Sequence, residues 1–127
     1  MYKLEGTTIK VTRGDSCTIS IRSKTLDDNN EQVPYIFKPG DCITFGIYNR
    51  KKLNESPILY KKIIVESDSE IIDFCLSSAD TKLGEMLNKP STYWYEIQLN
   101  NEKTLLGYDD NGAKLLIIYP EGDDLNE

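Results

Sequence analysis

The sequence predicts an all-β fold: an antiparallel β-sandwich, immunoglobulin-like or jelly-roll-like, with one short helical crossover. About eight short segments alternate apolar with polar residues, and turn signals recur roughly every ten residues. The 127 residues suffice for one core, so we expect a single domain over residues 1–119. Residues 120–127 are polar and acidic, and we expect a disordered tail or a connector there.

The first predicted elements are two strands, residues 8–12 and 17–21, joined as a hairpin. The sequence Arg13-Gly14-Asp15 between them is typical of a tight turn, an interpretation we prefer to its match with the integrin-binding tripeptide. Alternation puts five apolar residues on one face: Ile9, Val11, Cys17, Ile19 and Ile21. Residues 23–32 are polar and predict a surface loop, followed by a short apolar piece at residues 33–37.

The middle of the chain predicts a second hairpin. Pro39 and Gly40 suit the two central positions of a type II turn, so a strand should begin directly after them. Residues 42–48 alternate in polarity, and residues 57–65 are their expected antiparallel partner. A further strand is expected at residues 70–76, with one apolar face formed by Ile72, Phe74 and Leu76.

The short helix is predicted over residues 77–86. Ser77, followed three residues later by Asp80, is the pattern of a helix N-terminal cap. The next predicted strand, residues 93–99, repeats large apolar side chains at every second position, as a half-buried strand requires. Its expected core-facing residues are Tyr93, Tyr95, Ile97 and Leu99.

Two further turns complete the predicted domain. Residues 100–102 turn the chain into a strand at residues 103–108. Residues 109–112, Asp-Asp-Asn-Gly, are the strongest hairpin signal in the chain, because Asn-Gly tolerates the positive φ values of a type I′ turn. The predicted hairpin leads into a last strand at residues 113–119.

The candidate functional surface is centred on Trp94. Because positions 93–95 are consecutive aromatic residues, alternation directs Trp94 to the outer face, together with Glu96 and Gln98. An outward-facing Trp is typical of a contact surface, so these three residues are the candidate interface. The alternative is that the helical segment of residues 77–86 covers Trp94.

Composition narrows the classes of function. The formal net charge of −6 disfavours a nucleic-acid partner, and the basic run at residues 50–52 is the pattern of a solvated hairpin tip. The sequence has no histidine, which removes most nucleophilic triads and transition-metal sites. Asp73 and Glu96 are candidates for carboxylate catalysis, but both occupy the polar phase of a strand. We therefore expect no enzyme activity, no cofactor and no metal.

Targeting signals and cysteines bear on the compartment. No apolar run is long enough to span a bilayer, and the first residues lack the apolar core of a signal peptide, so we expect a cytoplasmic protein without a membrane partner. The cysteines Cys17, Cys42 and Cys75 are an odd number without a Cys-x-x-Cys pair, which predicts reduced and mostly buried thiols. The acidic loops at residues 27–31 and 109–112 lack the spacing of a complete calcium loop.

A series of motifs resembles a known family. The turn at residues 38–41 enters the strand Ile43-Thr44-Phe45, Asp80-Thr81 precedes the Tyr-Trp-Tyr-Glu-Ile-Gln-Leu strand, and a hairpin leads into residues 115–119. This pattern, over residues 7–119, resembles the N-terminal domain of upper baseplate proteins of siphophages that infect Gram-positive bacteria, and related small prophage proteins.

The resemblance implies a non-enzymatic virion component that docks on a phage tail and connects to receptor-binding proteins. Its partners would be other tail or baseplate proteins, with a homo-oligomer as a further possibility, and it would stay in the host cytoplasm until assembly into the virion tail. The fibre-like extension expected of a full upper baseplate protein is missing, which suggests a stand-alone adaptor or a prophage remnant. The resemblance assigns no binding residue.

A carbohydrate-binding module is the alternative function. It would use Trp94 together with Tyr48, Tyr60 or Tyr108 as a platform on which sugar rings stack. The missing secretion signal weighs against this function.

Overall fold

A computed structural model of the chain describes residues 1–49, 56–83, 89–107, 110 and 112–121. Within these residues the protein is all-β and mostly antiparallel, without a helix. The strands are β1 (Tyr2–Glu5), β2 (Thr8–Thr12), β3 (Cys17–Ile21), β4 (Lys24–Leu26), β5 (Gln32–Pro34), β6 (Cys42–Asn49), β7 (Leu59–Ile64), β8 (Ile72–Leu76), β9 (Ser91–Leu99), β10 (Lys103–Leu106) and β11 (Lys114–Tyr119).

A large sheet with the strand order β1-β2-β11-β9-β6-β7 dominates the fold, and β10 also pairs with β9. Strand β9 is its centre, because β6 pairs with one edge of β9 from Tyr93 to Leu99. The other edge is divided: β10 pairs with the end of β9 near Leu99, and β11 pairs with residues 91–95. Strands β10 and β11 therefore lie end to end along β9.

The core lies between the inner face of the large sheet and the two-stranded sheet β3–β8. Phe45 of β6 contacts Phe74 of β8, with ring centroids 5.6 Å apart, and stacks on Tyr95 of β9 at 5.5 Å. The apolar faces predicted for β2, β3, β8 and β9 all belong to this core, Tyr93 being only partly buried. The fully enclosed side chains include Ile9, Val11, Phe37, Ile43, Phe45, Ile47, Phe74 and Ile97.

The predicted hairpin of residues 8–21 is wrong, although both strand ranges are confirmed. Strand β2 pairs with β1 and β11, whereas β3 pairs with β8. The turn at residues 13–14 thus carries the chain from one sheet to the other. Alternation shows which face of a strand is apolar. It does not show whether two successive strands pair in one sheet or pack against each other across the core.

The hairpin predicted at residues 109–112 depends on Tyr108, Asp109 and Asn111, which lie outside the described residues. Within the described part of the chain, β10 and β11 each pair with β9. A tight turn with two positive φ angles lies between β9 and β10, where Asn100 and Asn101 have φ values of 54° and 57°. Asn tolerates this conformation better than most residues do.

Other turn predictions agree with the structure. Strands β6 and β7 pair antiparallel as predicted, and Gly40, with φ of 94°, precedes them. The basic run of residues 50–52 lies outside the described residues. By contrast, the predicted surface loop of residues 23–32 differs from the structure, because it contains strand β4, which pairs with β5 at the end of this segment. Asp27 Oδ1 holds the turn between the two strands by accepting bonds from the backbone N–H groups of Asn29 and Glu31.

The predicted capping pair is present, but the helix is not seen within residues 77–83, and residues 84–86 lie outside the described residues. The Ser77 N–H donates to Asp80 Oδ2 at 2.8 Å, and the Asp80 N–H donates to Ser77 Oγ at 3.2 Å. Only a turn follows, closed by the Thr81 N–H donating to the Ser77 carbonyl at 3.3 Å. The capping bonds are therefore satisfied without a helix to cap.

Thr81 ties this turn to the turn at residues 13–15. Its hydroxyl, almost fully buried, donates to the Asp15 carbonyl at 2.9 Å and accepts from the Gly14 N–H at 3.0 Å. Arg13 Nη1 donates to the Leu83 carbonyl at 3.0 Å, and the Asp15 carboxylate pairs with the N-terminal ammonium group. The Arg-Gly-Asp sequence thus serves as an internal structural turn.

Thr81→Val should lower the free energy of unfolding by about 1–3 kcal/mol, because valine keeps the shape but leaves the backbone groups of residues 14 and 15 unpaired. Urea unfolding followed by circular dichroism measures this loss. Thr92→Val is the matched control, since Thr92 is a half-buried threonine on the outer face of β9. Equal losses in the two variants would contradict the assignment.

The three cysteines are free, but they are not all buried as predicted: Cys17 is buried, Cys42 is half-buried and Cys75 is exposed. Cys75 lies on the outward phase of β8, opposite Thr18, and not among apolar neighbours. Burial, and secondarily the nearby Cys75, raises the pKa of the Cys17 thiol.

A thiol reagent should therefore label Cys75 rapidly in native buffer and Cys17 only after unfolding, because the thiolate is the reactive form and requires access. Labelling kinetics followed by mass spectrometry would show this order. Cys75→Ser should remove the fast phase; a fast phase that persists in this variant would contradict the strand phases.

Candidate interaction surface

The outer face of β9 carries the three residues that the sequence selects as a candidate interface. Trp94, Glu96 and Gln98 alternate with the buried Tyr95, Ile97 and Leu99 along this strand. Successive side chains of a strand point to opposite faces, so all three lie on the side of the large sheet that faces away from the core. Trp94 itself is half-buried.

Apolar side chains surround Trp94 on the neighbouring strands. Tyr48 of β6 lies directly opposite Trp94 on one side, and Leu115 of β11 lies directly opposite on the other. Residues directly opposite each other on paired strands share a face and are close enough to interact. Tyr60 of β7, 51% exposed, and Ile117 of β11 continue this set. We call these residues the outer apolar band: Tyr48, Tyr60, Trp94, Leu115 and Ile117.

Gly46 explains how Tyr48 lies within the band. A Cβ atom at position 46 would be 2.8 Å from Tyr48 Oη and 2.9 Å from Cε2, so the phenol ring covers the bare backbone of Gly46. Burial raises the pKa of Tyr48, and the neighbouring Glu96 and Tyr60 raise it further. The ring therefore lies flat on the sheet, next to Tyr60, which pairs with Gly46.

Polar side chains flank the band on one side. Gln98 Nε2 donates to Glu96 Oε1 at 2.6 Å, so the two polar residues of the candidate interface are bonded to each other. Thr44 and Lys62 continue this flank on β6 and β7. An apolar centre beside a polar margin is the usual composition of a protein interface.

The alternative cover for Trp94, the segment of residues 77–86, is described only up to residue 83. Asp80 in this part pairs with Lys61 Nζ at 2.8 Å. Lys61 lies opposite Phe45, on the inner phase of β7, so this turn is attached to the core side of the large sheet. Its described contacts thus lie on the face opposite to Trp94.

The carboxylates considered for catalysis are far apart in the fold. Asp73 faces outward from β8 and accepts a bond from Ser20 Oγ at 2.6 Å, whereas Glu96 faces outward from the large sheet. The core separates the two faces, so these residues do not form an acid–base pair. Among the described residues, no group of three or more His, Cys, Asp and Glu side chains could hold a metal ion.

Sequence reasoning missed the contribution of β11. Leu115 and Ile117 are half-buried on the outer face, while Leu116 and Ile118 of the same strand are buried in the core. The available signal was the run of consecutive apolar residues at 115–119, which marks a strand that is apolar on both faces. Tyr108, the other aromatic residue considered, lies outside the described residues.

Comparison with protein-family models, curated proteins and solved structures finds no match to this chain. In the described part of the chain, no helix combines the length and apolar character that a membrane crossing requires.

Gly46→Ala should lift the Tyr48 ring from the sheet and return the pKa of Tyr48 toward its ordinary value of about 10. The added methyl group would occupy the space of the ring, which removes the burial that raises the pKa. NMR of tyrosine labelled at Cζ, titrated between about pH 8 and pH 12, measures the change. Thr44→Ala, on the same strand and face, is the control and should leave the pKa of Tyr48 raised; the same raised pKa in Gly46→Ala would refute this geometry.

Proposed function

We propose that this protein is a non-enzymatic structural or adaptor component of a phage or prophage tail, of the baseplate type, that acts through protein–protein contacts. The observation that carries the binding role is the outer apolar band, in which apolar side chains of four adjacent strands share one outward face. The tail assignment depends on the sequence resemblance over residues 7–119.

The composition of the band supports a protein partner. Trp and Tyr are enriched among the residues that dominate binding energy, and Tyr48, Tyr60 and Trp94 are adjacent on this face. The Glu96–Gln98 pair lies beside them as a polar margin. The proposed partners are other tail or baseplate proteins, or a second copy of the chain.

We also propose a domain architecture and a cellular compartment for the protein. Contact between Phe45 and Phe74 across the core supports a single β-sandwich domain over residues 1–119, of immunoglobulin-like or jelly-roll-like form. Residues 120–127 would serve as an acidic tail or connector. The protein would stay in the host cytoplasm until it joins the virion tail.

A carbohydrate-binding module is the second candidate. The specific observation in its favour is that two of the three tyrosines considered, Tyr48 and Tyr60, share the face of Trp94. Glu96 and Gln98 beside them could bond sugar hydroxyls. Binding of purified cell-wall polysaccharide that depends on Trp94, without binding of tail proteins, would favour this candidate.

Trp94→Ala should weaken the assembly by about 2 kcal/mol or more, roughly 30-fold in affinity, because it removes the largest side chain of the band. The melting curve should change little, since Trp94 lies outside the core cluster. Light scattering and pull-down with co-encoded tail proteins measure assembly. The matched control is Tyr2→Ala, which removes an exposed aromatic residue from β1.

The opposite result would defeat the interface. If Trp94 is instead covered within the folded chain, its replacement should cost about 3–5 kcal/mol of stability and leave assembly intact. Equal effects of Trp94→Ala and Tyr2→Ala on assembly would also count against a specific role for the outer apolar band.

A further inference from the structure

Strand β3 has an open edge. Among the described residues it pairs with β8 alone, and β3–β8 is a two-stranded sheet facing a much wider one. The large sheet therefore extends beyond its cover at β1. Tyr2 and Leu4 lie opposite Val11 and Ile9, on the inner face, yet they are 40% and 52% exposed.

A cavity of about 200 Å³ lies along this open edge. Its lining includes Ile19, Ser20, Ile21 and Arg22, four consecutive residues. Consecutive residues of a strand point to alternate faces, so a cavity that touches all four lies beside the strand rather than above or below it. Leu4 and Ile9 form its opposite wall.

A second cavity, of about 390 Å³, continues the first. Both are lined by Arg22 and Leu105, and the second adds Lys24, Pro34 and Glu70. The groove that they form, which we call the β3-edge groove, is thus apolar next to β3 and charged at its far end. Two cations and one carboxylate line that end, so its net charge is positive.

The wall formed by Tyr95 is apolar in character as well. Tyr95 lines the first cavity, and its hydroxyl donates to the Thr7 carbonyl. Burial, with a smaller effect of Tyr2, raises the pKa of Tyr95 to about 12. Leu4, Ile9 and Leu106 also line the inner end of the groove, so this end suits an apolar side chain.

We propose that the β3-edge groove binds an extended peptide segment of a partner protein, which adds to β3 as a strand. The peptide backbone would pair with the N–H and C=O groups along the edge of β3 that no described strand occupies, and every second side chain would enter the apolar cavity beside Leu4. An acidic residue at one end of the segment would face Arg22 and Lys24. A compact ligand would leave the strand edge unpaired, which favours an extended peptide as the occupant.

This site is independent of the outer apolar band. The groove opens between the inner face of β1 and the edge of β3, whereas Trp94 faces away from the core on the other side of the large sheet. The two sites could therefore bind two partners at the same time, and either site can fail its test without affecting the other.

The test uses synthetic fluorescent peptides and the full chain. The parent peptide alternates valine with threonine and ends in two aspartates; about seven residues, at about 3.3 Å each, span β3. Two derivatives carry N-methyl groups on the odd or on the even residues, and a third ends in two lysines. Fluorescence anisotropy should show that the parent peptide binds. One of the two N-methylated derivatives should bind about tenfold more weakly or worse, because it cannot form the strand hydrogen bonds. The peptide that ends in lysines should bind more weakly than the parent.

Arg22→Glu should reverse the preference between the aspartate and lysine peptides, because it changes the sign of the charge at the groove's far end. Lys62→Glu, on the outer face of β7, is the matched control and should leave the preference unchanged, as should Trp94→Ala. Melting curves of all variants confirm that they fold.

Four outcomes would overturn the proposal. Equal binding of the parent and both N-methylated peptides would mean that the groove takes side chains without strand pairing. No binding by any peptide, or an unchanged preference in a folded Arg22→Glu variant, would exclude the site. A dimer of the chain that competes with the peptide and is lost in Arg22→Glu would identify a second copy as the occupant.

Discussion

The alternation of β9 determines the core and the candidate surface together. Its inner phase is buried between the sheets, and its outer phase carries Trp94, Glu96 and Gln98. Because β9 is paired on both edges, with β6 on one and with β10 and β11 on the other, its register is fixed by three strands. A slip of one residue would bury Glu96 and Gln98 and expose three core residues, which is strongly unfavourable. The pairing that stabilises the core therefore also holds the outer apolar band in place.

The faces of the strands could be predicted from the sequence, but several of their partners could not. The bounds of β2 and β3 and the pairing of β6 with β7 are as predicted, because alternation and turn residues are local signals. The partners of β2 and β11 depend on which apolar faces meet across the core, which is a property of the whole fold. Local turn preference likewise does not say which strands a turn joins: the turn at residues 13–14, expected to close a hairpin, carries the chain from β2 in one sheet to β3 in the other.

Elements without a burial pattern were missed or misassigned. Strand β1, Tyr-Lys-Leu-Glu, alternates apolar with polar residues but is only four residues long, and all four are exposed. The Ser77–Asp80 pair predicted a helix, because it is the pattern of an N-terminal cap. In the structure the capping bonds form, but Thr81 is bonded to the neighbouring turn. Capping bonds alone do not offset the free-energy cost of helix nucleation. At the candidate surface, alternation correctly predicts that Trp94 lies on the outer face. It cannot assign Leu115 and Ile117 to a face, because β11 has apolar residues at consecutive positions and therefore no alternation in polarity.

Charged side chains distinguish the two end strands of the large sheet from the open edge of β3. The large sheet ends at β7, where Lys61 lies on the inner phase and pairs with Asp80, and at β1, where Glu5 pairs with Lys3 and Lys10. Charged side chains on edge strands oppose uncontrolled pairing with other chains. Strand β3 has no charged residue between Cys17 and Ile21, and an apolar cavity lies beside it. An edge that lacks this protection favours strand addition, whether by a specific partner or by aggregation. The positive end of the β3-edge groove supplies the discrimination between these outcomes, since it favours an acidic segment over an arbitrary apolar strand.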